Sequence, residues 1–324
     1  MRVGILGYDN CLGGEIFGFA DLLHFANGIS LNSRPHQPPP FEVRLVGARR
    51  RDVVCATGTR MSVEPADDGL DLLVAPGFGF NVRDRPDQRF ARLGAELDLL
   101  RRLEGRVPIA SVCVGSFLLA EAGLLDGRNC TTAWLFAPDL ASRHPNARVQ
   151  PEAMIVEDRG VTTTGAFSAT HDLALKVVGE RTGEGLVRAL SRLALLDRGR
   201  ASQAPYVDAR LRQDLAAPFA RRVRAALEPR LAEPYDLSAL AAGLNVSTRT
   251  LLRRFKAEAG RTPLEELQAL RVSQAKRLLE TTGLSLAEVA AAVGYQDLST
   301  FARLFSRIAA MSPAAYRKRF RRAG

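Results

Sequence analysis

Residues 1–196 read as a doubly wound α/β domain with a parallel sheet. Residues 216–324 read as an all-α domain, and residues 197–215 as the linker between them. Three observations carry this division. In the first part, short apolar runs that end in turn residues alternate with helical patterns, as in a parallel sheet flanked by helices. The last part holds the same helical device twice, at a fixed offset, which marks a duplicated unit. The formal charge is +10, and residues 201–324 carry 21 Lys and Arg against 11 Asp and Glu. The whole excess therefore sits on the duplicated half, as expected of a surface that neutralises phosphates.

A chain of 324 residues with 46% hydrophobic content can bury two ordinary cores. Four cysteines, Cys11, Cys55, Cys113 and Cys130, show neither metal-ligand spacing nor disulfide density. They fit a reduced cytosol, with no metal and no cofactor. The apolar start is too short for a signal peptide, and no stretch approaches a membrane span.

In order along the chain, Arg2–Tyr8, Phe41–Gly47, Asp71–Pro76 and Val107–Val112 predict strands. Glu15–Asn27, Phe90–Glu104 and Phe117–Leu124 predict the helices among them. Leu31–Pro40, with four prolines, predicts a surface loop. Val149–Glu157 and Gly160–Thr164 predict a hairpin turning at Asp158-Arg159, and Asp172–Val178 and Gly185–Leu196 predict closing helices. Ala217–Leu231 opens the second domain.

Ligands of such sheets sit at the carboxyl ends of strands. Two turns stand there. Pro76-Gly77-Phe78-Gly79 lets backbone N–H groups approach a bound oxygen. Ala110–Ser116 runs from a strand into a helix and presents Cys113 at an elbow, where a helix N-terminus would lower its thiol pKa. Gly115 suits close packing behind that elbow. The bland alternative makes Cys113 a small buried hydrophobe.

In the duplicated half, Leu240, Ala241 and Leu244 match Val289, Ala290 and Val293. After one extra turn residue, Leu251, Arg253 and Phe255 match Phe301, Arg303 and Phe305. Each copy has helix-turn-helix logic. Ala241 or Ala290 admits a crossing helix. Asn245 or Gly294 suits a left-handed turn, and Ser247 or Asp297 caps the second helix. Leu251 and Phe255 form one buried stripe, and Phe301, Leu304, Phe305 and Ile308 the other. Thr248, Arg249, Arg253 and Lys256, and Gln296, Ser299, Thr300, Arg303 and Arg307, are left facing outward. The plain alternative is a helical bundle with a solvated charged face. Two matched copies with Arg at the same outward position favour DNA.

These residues, together with Ala-Lys-Arg-Leu-Leu (275–279), Glu-Val-Ala-Ala-Ala-Val-Gly-Tyr (288–295), Ser312-Pro313 and Tyr316, resemble the DNA-binding domain of AraC/XylS-type regulators. The resemblance implies two recognition helices in successive major grooves. It departs at Ala309-Ala310-Met311, where the family usually has Gly, which predicts an altered helix end. Residues 1–196 resemble the PfpI-type, amidotransferase-like, flavodoxin-like domain of GlxA-like regulators. Pro76-Gly77, residues 113–127 and Thr131–Trp134 carry that likeness. It places the family's reactive cysteine at Cys113 and an acidic thiol neighbour at Glu15, whose ordinary reading is a helix-start charge. The family's His before Trp134 is Ala133 here, which leaves the thiol without an oriented base.

The combined expectation is a cytoplasmic, sequence-specific transcription regulator. Its first domain senses a small-molecule effector or mediates homodimerisation, and it is not an enzyme. Glu15, Gly77, Phe78, Cys113, Val114 and Trp134 are expected to line one pocket. Ser247, Thr248, Arg249, Arg253, Gln296, Ser299, Thr300 and Arg303 are expected to meet double-stranded DNA. Arg317–Arg322 suggest backbone contacts or a solvated tail. The alternative is a cysteine-dependent amidase, hydrolase or glyoxal-modifying enzyme fused to a DNA-binding domain.

Overall fold

The computed structural model describes residues 1–79, 90–211 and 217–321. Two compact units result, Met1–Gln203 and Ala204–Gly324.

In chain order the first unit contains β1 (Arg2–Leu6), α1 (Gly13–Ser33), β2 (Glu42–Gly47), β3 (Arg51–Val54), β4 (Arg60–Pro65) and β5 (Leu72–Ala75). After these come α2 (Gly94–Leu103), β6 (Ile109–Ser111), α3 (Ser116–Glu121), β7 (Asn129–Cys130), α4 (Ala137–Arg143) and β8 (Arg148–Val149). β9 (Ile155–Asp158), β10 (Val161–Thr164), α5 (Ala169–Thr182) and α6 (Glu184–Leu193) complete it.

The main sheet runs β3-β4-β2-β1-β5-β6-β10-β9. Six central strands are parallel, and β3 and β9 close the two edges in antiparallel pairing. All four residues of β5 are buried, as both faces of a parallel strand must be when helices cover them. The chain leaves β1 towards β2 on one side and returns to β5 on the other. The crevice beyond β1, β5 and β6 is therefore the topological switch point.

Several expected boundaries move. α1 runs on to Ser33, into the start of the expected loop, and ends two residues before Pro35. The expected first arm of the hairpin splits. Val149 pairs with Cys130 in a separate two-stranded sheet, and only Ile155–Asp158 forms the arm. The turn lies at Arg159-Gly160, both left-handed (φ 50° and 78°), as a tight right-twisted hairpin requires. The β3–β4 hairpin was not expected, because its arms are short and begin on Arg. Residues 80–89 of the segment before α2 lie outside the described residues.

The second unit is two small helical lobes strung on one helix. The first has α7 (Pro218–Leu227), α8 (Leu237–Gly243) and α9 (Thr248–Ala259). α10 (Pro263–Thr281) passes from it into the second, with α11 (Leu286–Ala292), α12 (Leu298–Ala309) and α13 (Pro313–Phe320). Leu267 and Leu270 of α10 belong to the first core, and Val272, Ala275 and Leu279 to the second. α10 starts with a full capping box between Thr262 and Glu265, and α11 with one between Ser285 and Glu288.

Buried charges organise the lobes. Glu266 is fully buried and accepts from Arg224 Nε at 2.7 Å and Arg261 Nε at 2.6 Å. Arg271 donates to the carbonyls of Leu231 (2.7 Å) and Glu233 (2.6 Å), and lies 5.1 Å over the Tyr295 ring. A Cβ at Gly294 would meet the Ala232 carbonyl oxygen at 2.8 Å. The second turn therefore packs directly on the first lobe, and the two helix-turn-helix units are held to each other.

The expected linker is not free chain. Arg200 pairs with Asp172, and Ser202 and Gln203 bond to Glu152, so residues 200–203 belong to the first unit. Ala204 and Ala209 are buried in the second, where Lys276 and Ser273 hold them. Polar composition suggested a tether, but among the described residues Arg198, Arg200, Ser202, Gln203 and Arg210 all find partners. Residues 212–216 lie outside the described residues.

Candidate functional site

Three strand ends build the elbow. Glu15 stands at the start of α1 after β1, Gly77 after β5 and Cys113 after β6. The Gly77 N–H donates to Glu15 Oε2 at 2.6 Å. The Cys113 thiol lies beside the same carboxyl. Glu15 is 2% exposed, and its other oxygen has no hydrogen-bond partner among the described residues. Burial pushes its carboxyl up to about 7, against the opposing pull of the Gly77 N–H. Of the two readings of Glu15, the thiol neighbour holds, although the residue is also in the first turn of α1.

Cys113 adopts a left-handed backbone, φ 54°, which is the strain of a sharp elbow. Its N–H donates to the Gly165 carbonyl at 2.9 Å, and its carbonyl accepts from Thr132 Oγ1 at 2.9 Å. Gly115 is required behind it, since a Cβ there would lie 2.5 Å from the Ala75 carbonyl oxygen.

The expected low thiol pKa is overturned. Burial, and then the Glu15 carboxyl beside it, push the Cys113 thiol well above its ordinary range. A short 3₁₀ turn, Cys113–Gly115, follows the thiol, and α3 beyond it has only six residues. That is a weak dipole to set against desolvation. Ala133 is 4% exposed, in the position where the resemblance would have placed a His.

The six expected pocket residues separate. Glu15, Gly77, Cys113 and Val114 meet, with the Val114 methyl 3.1 Å from where a Gly77 Cβ would lie. Phe78 turns inward, packs edge-on against Phe90 and Phe117 and bridges to Cys11. It is core. Trp134 joins the elbow through its backbone N–H, which donates to Gln203 Oε1 at 3.3 Å. Cavities of about 230 Å³ at Glu104–Ile109 and about 590 Å³ at Ile29–Pro40 lie away from Cys113. Gln203 is the elbow residue that sequence reasoning missed. It sits in an aperiodic polar stretch and carried no signal.

In the second unit, the turn residues Asn245 (φ 57°) and Gly294 (φ 83°) are left-handed. Ser247 Oγ accepts from Thr250 N at 3.2 Å, and Asp297 from Thr300 N at 2.6 Å, so both cap their helices. Leu251, Phe255, Phe301, Leu304 and Phe305 are buried. Arg249, Arg253 and Lys256 are exposed on α9 and Thr248 half-exposed, while Gln296, Ser299, Thr300 and Arg303 are exposed on and before α12. Arg249 and Arg253 carry no ion pair among the described residues. Arg303 Nη2 leans on Thr300 Oγ1 at 3.4 Å. Arg307 turns back to Gln268 at 3.2 Å, and Ser247 spends its hydroxyl on the cap. Arg319 packs on Tyr206 and Arg317 caps the Leu284 carbonyl, so these two belong to the fold more than to a tail. Arg322 lies outside the described residues.

Residues 37–180 match the DJ-1/PfpI family, and residues 240–319 match a helix-turn-helix domain family. The HTH-type transcriptional regulator GlxA of Rhizobium meliloti (strain 1021) is 32% identical over 232 residues, 71% of each chain. The HTH-type transcriptional regulator CdhR of Pseudomonas aeruginosa is 29% identical over 255 residues, 78% of this chain and 73% of its own. A solved THiJ/PfpI family protein from Pseudomonas syringae is 22% identical, with TM-score 0.50 over 66% of this chain and 84% of its own, and shares the fold of the first unit. The chain belongs to the DNA-binding HTH-type transcriptional regulators that join a DJ-1/PfpI family domain to an AraC-type helix-turn-helix pair.

Proposed function

We propose that the DJ-1/PfpI-like unit of this regulator is a sensor without catalytic turnover. The observation that carries this is the state of Cys113. Its thiol is held protonated by burial and by Glu15, and Ala133 supplies no base. A general base contributes about 10²–10⁴-fold to such chemistry. What remains is a strained, enclosed elbow that can register a small-molecule effector. Exposed Phe17, Phe25 and Phe167 on this unit support a second copy of the chain as a partner.

In the second unit, Arg249, Arg253 and Arg303, with Thr248, Gln296, Ser299 and Thr300, read DNA. Their exposure on two capped helices of a braced pair supports this. Such a pair enters two major-groove segments about one helical turn, 10–10.5 bp, apart. Selection of bound genomic fragments with the purified protein should return sites with that spacing. Turnover of amides, esters or glyoxals that disappears in Cys113→Ser would sink the non-catalytic reading and favour the fused-enzyme alternative.

A further inference from the structure

The proline-rich loop after α1 forms one wall of a groove in the first unit that the Cys113 elbow does not use. The groove measures about 590 Å³, within the roughly 300–1,000 Å³ of small-molecule sites. The end of α1 and the loop line one side, and the α5–α6 turn lines the other.

Both walls are built by the fold. Gln37 N donates to the Arg34 carbonyl at 3.1 Å. Asn27 on α1 exchanges two hydrogen bonds with the Phe41 backbone, at 2.8 Å and 3.0 Å. Pro38, Pro39 and Pro40 between them have fixed φ, so this wall has little freedom to collapse. Opposite, Gly183 ends α5 and starts α6 with a left-handed φ of 84°. Thr182 spends its hydroxyl on the Val178 carbonyl at 2.7 Å. A Cβ at Gly185 would meet nothing within 4 Å, which leaves room on the floor of the groove.

The lining has an apolar part and a cationic part. Ile29 and Leu186 are half-buried and pack against the core of the unit. Arg34 and Arg181 also line the groove, and both are exposed. Neither carries an ion pair among the described residues. No Asp or Glu of the described residues lines the groove. The acids nearest in sequence are already taken, Glu180 by Lys176 and Glu184 by Arg198. Two guanidinium groups beside an apolar floor are left without a counter-charge.

We propose that this groove binds a small organic acid, with its carboxylate on Arg34 and Arg181 and its apolar body over Ile29 and Leu186. A guanidinium fork matches a carboxylate bidentately. Inorganic phosphate would meet the same arginines but leave Ile29 and Leu186 uncovered. An alkylammonium would cover them but face the cations. The proposal goes beyond the elbow reading and does not rest on it, since the groove lies away from Cys113.

Calorimetric titration of the full chain uses butyrate, hexanoate, hexylamine and inorganic phosphate as probes. Hexanoate should bind, and more tightly than butyrate by about twofold to fourfold per added methylene, the scale of one buried CH₂. Arg34→Ala and Arg181→Ala should each weaken hexanoate about threefold to tenfold, between an exposed ion pair and a charged hydrogen bond. Gly185→Leu, which fills the floor, should weaken hexanoate and spare phosphate. Cys113→Ser should leave hexanoate affinity unchanged. Hexanoate that does not bind overturns the proposal, as does hexylamine or phosphate binding equally tightly. So does hexanoate binding untouched in both arginine variants. Loss of hexanoate in Cys113→Ser would put the acid at the elbow and overturn it as well, whereas failure at the groove alone leaves the elbow reading standing.

Discussion

Arg253 and Arg303 occupy the same position in the two repeats, so each reports on its own DNA segment. If each makes a bidentate contact to guanine, its change to Ala costs roughly 1–3 kcal/mol and relaxes preference at one segment only. Arg303 leans on Thr300 and neighbours exposed Leu298, so Arg253→Ala should alter preference more. Profiles against an operator randomised one segment at a time check this, and unchanged preference in both variants would refute direct readout. Glu15 makes a prediction in pH. Its carboxyl is raised in the folded chain to about 7, so the native state keeps a proton that the unfolded chain has released. The stabilisation is complete below the unfolded pKa near 4.3 and is lost as pH rises through about 7, on the order of 3 kcal/mol. Glu15→Gln should flatten that decline. Urea unfolding of both proteins at pH 5 and pH 8 measures it, and parallel losses would show that Glu15 is not the group responsible.

α9 and α12 end differently, although they are repeats. α9 stops at Gly260 with φ 72°, which glycine adopts freely, and α12 stops at Ala310 with φ 52°, which alanine resists. A left-handed L-residue costs roughly 1–2 kcal/mol. Ala310→Gly should therefore stabilise the second lobe by about 1 kcal/mol, read as a higher unfolding midpoint of residues 204–324. A lower midpoint would mean that the Ala310 methyl makes packing that outweighs its strain.

The two units divide at Gln203 and Ala204, which sets how the molecule can be cut. A fragment beginning at Ala204 should fold, be helical and retard DNA at low salt, since both lobes and the positive excess lie within it. A fragment beginning at Leu211 lacks the carbonyls of Ala204 and Val207, and so takes two acceptors from the buried Lys276 ammonium. It should be less stable by about 1–3 kcal/mol, the scale of lost hydrogen bonds to a charged group. Equal melting of the two fragments would show that residues 204–210 are dispensable to the fold.

By itself the sequence determined the features that depend on local pattern. Apolar runs and turn residues placed the central strands, and duplication with Ser and Asp caps placed both helix-turn-helix units. The Cys113 elbow followed from a strand, a small-residue turn and a helix, and Ala133 followed from alignment with a motif. Tertiary structure alone decided what depends on burial and distant partners. The Cys113 thiol is raised because Glu15 and apolar side chains surround it, and no neighbour in sequence reveals that. Phe78 reads as a pocket residue beside Gly77, yet it turns inward because Phe90 and Phe117 are there to receive it. Gln203, Lys276 and Glu266 look like solvated polar residues in the sequence. They are buried because partners come from 37 to 72 residues away in the chain, with Arg261 beside Glu266 the near exception, and the pairing energy of such groups exists only once the fold has brought them together.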